Sequence, residues 1–399
     1  VTHAVIIGGG VAGPAAAMAL QQAGIEATVH EAYPTGADDV GAFLNLMANG
    51  IDALAAIGAD QLVIDHSLPA ERVEFLAGSG RPLGAVPITG TARTLTRAAL
   101  YRLLHDEATP RGITIHHGKR LIGLSHSGDT HVTARFADNT DTQTDLLIGA
   151  DGVHSTTRGL IDPAAPAPRY LDMITVCGYT HHSPETTPVG TYRMAYGRRA
   201  FAGYTTDPDG TTWWFVTIPS RERSRTELAA TTSQQWKRHL LELLARDHTP
   251  LASIVAACDS TIIGTGAYDI PHLPTWHHHH AIVLGDAAHA ASPSAGHGAS
   301  LALEDAVILA QCLRDLPAIP EALATFEHLR RSRAEQLVAT SAKMTGRAIP
   351  GPLTRRVRDA LLPLLLRGGP RNTSAWLTSH HIDWHIPVTD TTSSATTTE

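Results

Sequence analysis

The short apolar run His3–Ile7 leads straight into Gly8-Gly9-Gly10-Val11-Ala12-Gly13. An alanine- and leucine-rich stretch follows to Ala23 and stops at Gly24. Strand, G-x-G-x-x-G and helix in this order leave few folds open, because the turn belongs to a βα unit of a parallel sheet. Gly8 allows the tight turn, Gly10 lets a phosphate approach the backbone, and Gly13 lets helix and sheet pack closely. The amides of Val11, Ala12 and Gly13 then open a helix whose positive end suits a pyrophosphate. A second strand, Ala27–His30, ends at Glu31, which lies 23 positions after Gly8. That is near the offset of about 20 expected of a carboxylate that holds a ribose. The segment predicts dinucleotide binding.

Two later turns repeat the arrangement. The apolar Leu146–Ile148 leads into Gly149-Ala150-Asp151-Gly152, and Ala281–Leu284 leads into Gly285-Asp286-Ala287-Ala288-His289. Between them, residues from about Tyr170 to Ile263 change character. They hold most of the tyrosines, the pair Trp213-Trp214, period-two patterning and turn signals such as Asp207-Pro208-Asp209-Gly210. This predicts a second, mostly antiparallel sheet, crossed by one helix at about Thr226–Ala245. Further expected elements are a helix to Ile57 capped by Asn49, strand-like structure over Leu68–Thr89 and a helix over Thr96–Ala108. Strands around Ile113–Ile115, Leu121–Leu124 and His131–Phe136 follow, then late helices over Leu301–Leu313 and Ile319–Met344. The arginine- and leucine-rich Arg355–Arg367 reads as an amphipathic helix packed on the body, and the Thr/Ser-rich tail as disordered. His277–His280 reads as a polar surface turn.

Composition narrows the class. With 399 residues, 43% of them hydrophobic and 17% charged, the chain can bury a large core. Its formal net charge is −7 and no Lys/Arg block stands out, so a nucleic-acid partner is not expected. Cys177, Cys258 and Cys312 have no metal-ligand spacing and read as buried thiols of a reducing compartment. The N-terminal apolar residues form a strand rather than a signal peptide, and no run approaches the ~18 apolar residues of a membrane span. The expectation is a cytoplasmic protein without stable membrane insertion, metal or nucleic acid.

Taken together, the three turns resemble the flavoprotein aromatic hydroxylases, the single-component FAD monooxygenases with the p-hydroxybenzoate hydroxylase fold. Gly8–Gly13 with Glu31 match that family's FAD fingerprint, and Arg97-Ala-Ala-Leu100 matches its R-x-x-L. Asp151-Gly152, within Gly149-Ala-Asp-Gly-Val-His-Ser-Thr-Thr-Arg158, matches its D-G motif. Gly285-Asp-Ala-Ala-His289, with Pro293, Gly296, Gly298 and Glu304-Asp305, matches its G-D motif and following loop. The resemblance reaches to about residue 345.

It implies an α/β fold: a Rossmann-like FAD-binding domain (residues 1–67, 91–168 and 264–345) with an inserted, mostly antiparallel β-sheet substrate domain (68–90 and 169–263). A C-terminal helical segment (346–386) and a disordered tail (387–399) complete it. It also implies roles. Asp286 accepts hydrogen bonds from ribitol hydroxyls, and Gly296, Gly298, Ala299 and Ser300 open a helix toward the N1–C2 carbonyl edge of the flavin. Pro293 lies against the ring, Arg97 reaches the pyrophosphate, and Asp151 serves pyrophosphate or the incoming nicotinamide. Leu121 lies at the adenine end by position. Alternatives stand beside these: Arg97 as a solvated helix residue, Asp151 as a helix cap, His289 as structural, and His297 turned either to the flavin or to solvent. Two positions depart from the family pattern. Ala32 stands where many members have Arg after the ribose carboxylate, and Ser300 where many have Asn.

The implied activity is NAD(P)H- and O2-dependent hydroxylation or epoxidation of an apolar, aromatic or polycyclic small molecule through a flavin C4a-hydroperoxide. The cofactor carries the hard step and the protein keeps water out. No catalytic side chain is assigned. Expected substrate-lining residues are Asn45 and Met47 from the first domain, and Tyr179, Tyr192, Phe201, Trp213 and Phe215 from the second. Arg193 is a candidate for meeting a carboxylate or phenolate. A flavin reductase or dehydrogenase of a prenyl or polyketide-type substrate, and a non-catalytic flavin- or ligand-binding relative, are the rivals. A halogenase fits poorly, because Val216 replaces the second Trp of W-x-W-x-I-P and no lysine precedes Lys119.

Overall fold

A computed structural model describes residues 3–35, 43–127, 130–292, 296–349, 351–367 and 375–389. The expected disordered tail and Pro293 lie outside the described residues, except that 387–389 are described. The fold is mixed α/β. His3–Ile7 sits inside a six-stranded sheet, between Leu146–Gly149 and Glu26–His30, with Ala281–Val283 and Thr114–His116 beyond them and His277–His278 at one edge. All neighbours are parallel except that edge strand.

Alternation along His3–Ile7 sorts its side chains between two cores. Ala4 and Ile6 join the larger cluster beneath helices Ala12–Gln22 and Gly298–Asp315. Val5 and Ile7 face a smaller cluster with Leu121, Val132 and Phe136, from an antiparallel meander laid over the other side. Both faces are therefore covered, as a buried parallel sheet requires.

A second sheet has seven strands in the order Ile263–Asp269, Arg169–Thr180, Thr212–Pro219, Phe201–Thr206, Thr191–Tyr196, Arg72–Ala77 and Pro82–Pro87. It is antiparallel except between Thr191–Tyr196 and Arg72–Ala77. Its back packs Val176, Tyr204, Trp214 and Val216 against Trp236, Leu240 and Ile254 of helices Ser233–Leu244 and Leu251–Ala257. A small three-stranded sheet of Phe43–Leu46, Arg93–Thr96 and Leu68–Pro69 lies at the joint. There Met47, Val73, Ile88 and Met194 pack around Ala70, Ala92 and Tyr192.

Two local expectations need correction. The single helix expected over Thr226–Ala245 is two, Arg225–Ala229 and Ser233–Leu244. Thr232 and Gln235 form a capping box that starts the second, after Ser224 and Glu227 form one for the first. Nor does Asn49 cap the helix Ala48–Ala56, whose N-cap is Met47. The Asn49 side chain instead donates to Glu304 at 2.6 Å.

Candidate cofactor and substrate site

Register gathers the three turns. Ile7 lies beside Gly149, and Gly149 beside Val283. The residues that follow these strand ends, Gly8, Ala150–Gly152 and Gly285–Asp286, therefore emerge at one carboxyl edge of the parallel sheet. That edge, where the chain crosses between strands, is the usual ligand crevice of such sheets.

The first turn is sterically fixed. Gly8 has φ +107°, and a Cβ there would come 2.5 Å from the carbonyl oxygen of Ala150. A Cβ on Gly13 would come 1.9 Å from the carbonyl oxygen of Gly8. Gly10 differs, since among the described residues a Cβ there would meet nothing within 4 Å. The loop is thus closed on its protein side and open on its outer side, where a phosphate would approach. This is the cradle that a dinucleotide such as FAD requires.

Glu31 is buried and accepts from the Gly9 N–H at 2.7 Å and the Tyr33 N–H at 2.9 Å. Its carboxylate therefore braces the turn. Ala32, next to it, is half-buried. The sequence reading missed a second brace, His105, whose Nε2–H donates to the Gly9 carbonyl at 2.7 Å. Burial lowers the His105 pKa, although its bond to Gly9 opposes this. Its ring stacks on Tyr101 at 4.0 Å. Arg97, Tyr101 and His105 follow i, i+4, i+8 along helix Arg97–Ala108, so one face of the helix addresses the glycine turn. That spacing was the available signal. Arg97 is exposed and, among the described residues, makes no hydrogen bond or ion pair.

The other turns divide in role. Asp151 accepts from Ser155 Oγ at 2.5 Å and from the Thr157 N–H at 2.9 Å and Oγ1 at 3.0 Å. These bonds fit the helix-cap alternative: the half-buried carboxylate braces the start of helix Thr156–Ile161. Leu121 is likewise enclosed, its side chain 4% exposed in the core beside Ile7 and Phe136, so only its backbone is available to an adenine. Asp286 is the opposite case. Residues 280–290 are all buried except Asp286, which is exposed and has Gly298 beside its Oδ1. It is a lone solvent-facing carboxylate in that stretch, just past the end of a core strand.

Helix Gly298–Asp315 points its N-terminus into the same space. Gly296 (φ +66°) has room around it, and the half-buried Ala299 follows Gly298 in the first turn. Ser300 turns inward instead. Its Oγ accepts from the Met47 N–H at 3.0 Å, and Gly50 packs so close that a Cβ would lie 2.7 Å from that oxygen. His297 is buried rather than solvent-facing. Its Nδ1 has no partner among the described residues, and burial, with Arg333 nearby, lowers its pKa to about 4.

Behind this helix lies a buried ionic network that sequence reading glimpsed only as Glu304-Asp305. Asp305 accepts from the Gly285 N–H at 3.0 Å, His289 Nε2 at 2.5 Å and Arg330 Nε at 2.7 Å. Burial opposes its charge, yet His289 and Arg330 hold its carboxyl below the ordinary range. Glu304 accepts from Asn49, Arg330 and Arg333. The role expected of His289 is therefore the one observed: it pins the late turn. Arg330 and Arg333 come from helix Ile319–Ala348 with no local motif to mark them.

The front of the seven-stranded sheet faces this region. Strand registers put Tyr179, Tyr192, Phe201, Trp213 and Phe215 on one face. Phe43, which sequence reading passed over, lies 5.9–6.1 Å from the rings of Tyr192, Trp213 and Phe215. The strand Phe43–Leu46 turns Phe43 and Asn45 the same way. Tyr192 donates to Asn45 Oδ1, Thr94 Oγ1 donates to it at 3.1 Å, and the two hydroxyls also meet each other. These bonds fix the amide with its oxygen inward. Arg193 is a correction, because alternation sends it to the opposite face from Tyr192, where it pairs with Glu74 at 3.1 Å.

The model of the FAD binding domain family matches residues 1–341. The chain is 29% identical over 382 residues to 2-heptyl-3-hydroxy-4(1H)-quinolone synthase of Mycobacteroides abscessus, covering 93% of this chain and 96% of that protein. It is 28% identical over 352 residues to aurachin C monooxygenase/isomerase of Stigmatella aurantiaca, covering 85% and 88%. Klebsiella pneumoniae HpxO, solved with FAD and uric acid, superposes with a TM-score of 0.82 at 24% identity, covering 92% of this chain and 95% of that one.

Proposed function

The chain belongs to the FAD binding domain family, and on that premise we propose that it is an NAD(P)H-dependent monooxygenase that hydroxylates or epoxidises an apolar aromatic or polycyclic molecule. FAD held there and reduced by NAD(P)H would supply the O2 activation by which one oxygen atom of O2 enters the substrate and the other leaves as water. This chain's residues do the rest. The open Gly10 edge with the Val11, Ala12 and Gly13 amides receives the pyrophosphate, and Arg97 adds a charge-assisted donor. Glu31 takes the ribose hydroxyls and Asp286 those of the ribitol. Gly296, Gly298 and Ala299 present the positive end of a helix to the flavin edge that gains negative charge on reduction.

The observation that carries this reading is the convergence of three strand ends on one edge, with Gly10 open and Asp286 exposed there. The division into a cofactor domain (residues 1–67, 91–168, 264–345) and a substrate domain (68–90, 169–263) follows it. The facing aromatic surface favours a neutral, ring-bearing small molecule. Relatives named for a heptylquinolone and for aurachin C point the same way. Among the described residues no helix is long and apolar enough to cross a membrane, and no cluster of side chains could hold a metal. A cytoplasmic location and the absence of a nucleic-acid partner remain part of this proposal.

The test is single-turnover kinetics with NADH or NADPH, a neutral alkylquinolone panel and 18O2. Substrate-accelerated flavin reduction with one labelled oxygen in the product supports the proposal. Reduction without labelled product makes the protein a reductase, and failure to reduce makes it a binder.

A further inference from the structure

Helix Pro352–Arg367 lies across the outer edge of the seven-stranded sheet. One side is attached. Leu366 covers Gly84, where a Cβ would come 2.8 Å from its Cδ1. Arg81 donates to the Asp359 carbonyl at 2.6 Å, and Arg355 to the Arg198 carbonyl at 3.3 Å. Arg358 pairs with Asp359 at 2.7 Å and sits 4.2 Å from the Tyr196 ring.

Among the described residues, nothing is seen to pack on the other side. Val357, Leu361, Leu364 and Leu365 are 49%, 50%, 61% and 55% exposed. Their spacing of i, i+4, i+7, i+8 makes one continuous apolar stripe. Scattered exposed apolar residues need no explanation, but a contiguous stripe does. Its surroundings are basic. Arg356 is exposed beside it, and Arg198 and Arg199 are exposed on the adjoining turn. The acids among the neighbouring groups are Asp359, already paired with Arg358, and Asp247, which accepts from the Arg198 N–H. In a chain of net charge −7 this is a local reversal of sign.

We propose that this helix docks the protein onto an anionic lipid surface, with the leucine stripe at the headgroup–acyl boundary and the arginines on lipid phosphates. The pairing of an apolar stripe with a basic rim is the two-part signal of a reversible interfacial helix. Charge decides against the same stripe joining two copies of the chain. Two copies joined through this stripe would bring two basic rims into one interface, with Asp359 and Asp247 already engaged within each copy.

The test is sedimentation of the purified full chain with phosphatidylcholine vesicles, with and without phosphatidylglycerol. Binding should be about tenfold or more tighter to the phosphatidylglycerol vesicles and weaken with salt. The triple variant Leu361→Gln, Leu364→Gln, Leu365→Gln should lose it while keeping the wild-type melting temperature. Arg356→Glu with Arg199→Glu should abolish the preference for anionic lipid but leave the stripe. Absence of that preference, or unchanged binding by the triple variant, overturns the proposal. So does a wild-type dimer in solution that the triple variant dissociates, which would make a second copy the occupant. None of these readouts depends on flavin chemistry.

Discussion

Single side chains carry the most direct chemistry. Asp286 stands exposed where its neighbours are buried, so its removal should leave the core untouched. Asp286→Ala should weaken FAD binding by about ten- to a hundredfold, the worth of lost hydrogen bonds to a charged group. A fluorescence titration reads this, and unchanged affinity would remove Asp286 from the site. Asn45 offers a second test. Tyr192 and Thr94 hold its amide oxygen, which leaves its N–H groups to meet a ring carbonyl or hydroxyl. Asn45→Leu should raise KM for such substrates by about tenfold and divert reducing equivalents to peroxide. Proton linkage is a third. Burial lowers the pKa of both His297 and His30 to about 4, aided by Arg333 at the first and by His116 and Lys119 at the second. The unfolded chain therefore binds more protons than the folded one between about pH 6.5 and 4, and stability falls as pH drops through that window. The melting temperature should decline from pH 7 to 5, and less steeply in His30→Gln/His297→Gln. Parallel curves would contradict this assignment.

At the level of elements, close packing couples the turns to the rest of the fold. Gly50 sits against Ser300 with no room for a methyl group, so Gly50→Ala should push helix Ala48–Ala56 off helix Gly298–Asp315. The expected cost is about 1–3 kcal/mol, seen as a lower denaturation midpoint together with weaker FAD retention. Arg330→Leu should cost more, about 3–5 kcal/mol, because it strips counter-charge from buried Glu304 and Asp305. What the sequence disclosed at this scale follows from locality. The strand–glycine–helix unit, the Thr96-capped helix and the alternation over His131–Phe136 are written in adjacent residues. The break at Thr232 was equally local, a capping box hidden inside a helical run. By contrast, Arg330 and Arg333 meet Glu304 across two helices, and His105 reaches Gly9 across 96 positions. No nearby pattern encodes those meetings. Asp151 shows a related limit: its motif was legible, but which of its two readings holds depends on the direction of its carboxylate, set by Ser155 and Thr157.

For the molecule as a whole, two sheets meet so that a glycine-lined edge faces an aromatic surface. The residues that register places on that surface beside Phe43 carry no formal charge, since alternation removes Arg193 and Glu74 to the back. Neutral ring compounds should therefore accelerate NAD(P)H oxidation more than benzoate-type anions, because no charged group among the described residues of that surface offsets the cost of desolvating a carboxylate. Steady-state rates on matched acid and amide pairs measure the ratio, and a preference for the acids would reverse the reading. The central claim, that the open side of the first turn is the seat of the pyrophosphate, has a sharper test in Gly10. A Cβ there meets no atom of the described residues within 4 Å, so Gly10→Val should fold and melt like the wild type. Equilibrium titration with FAD should then show one flavin per chain for the wild type and none for Gly10→Val. Equal uptake by both would mean that the cofactor lies elsewhere.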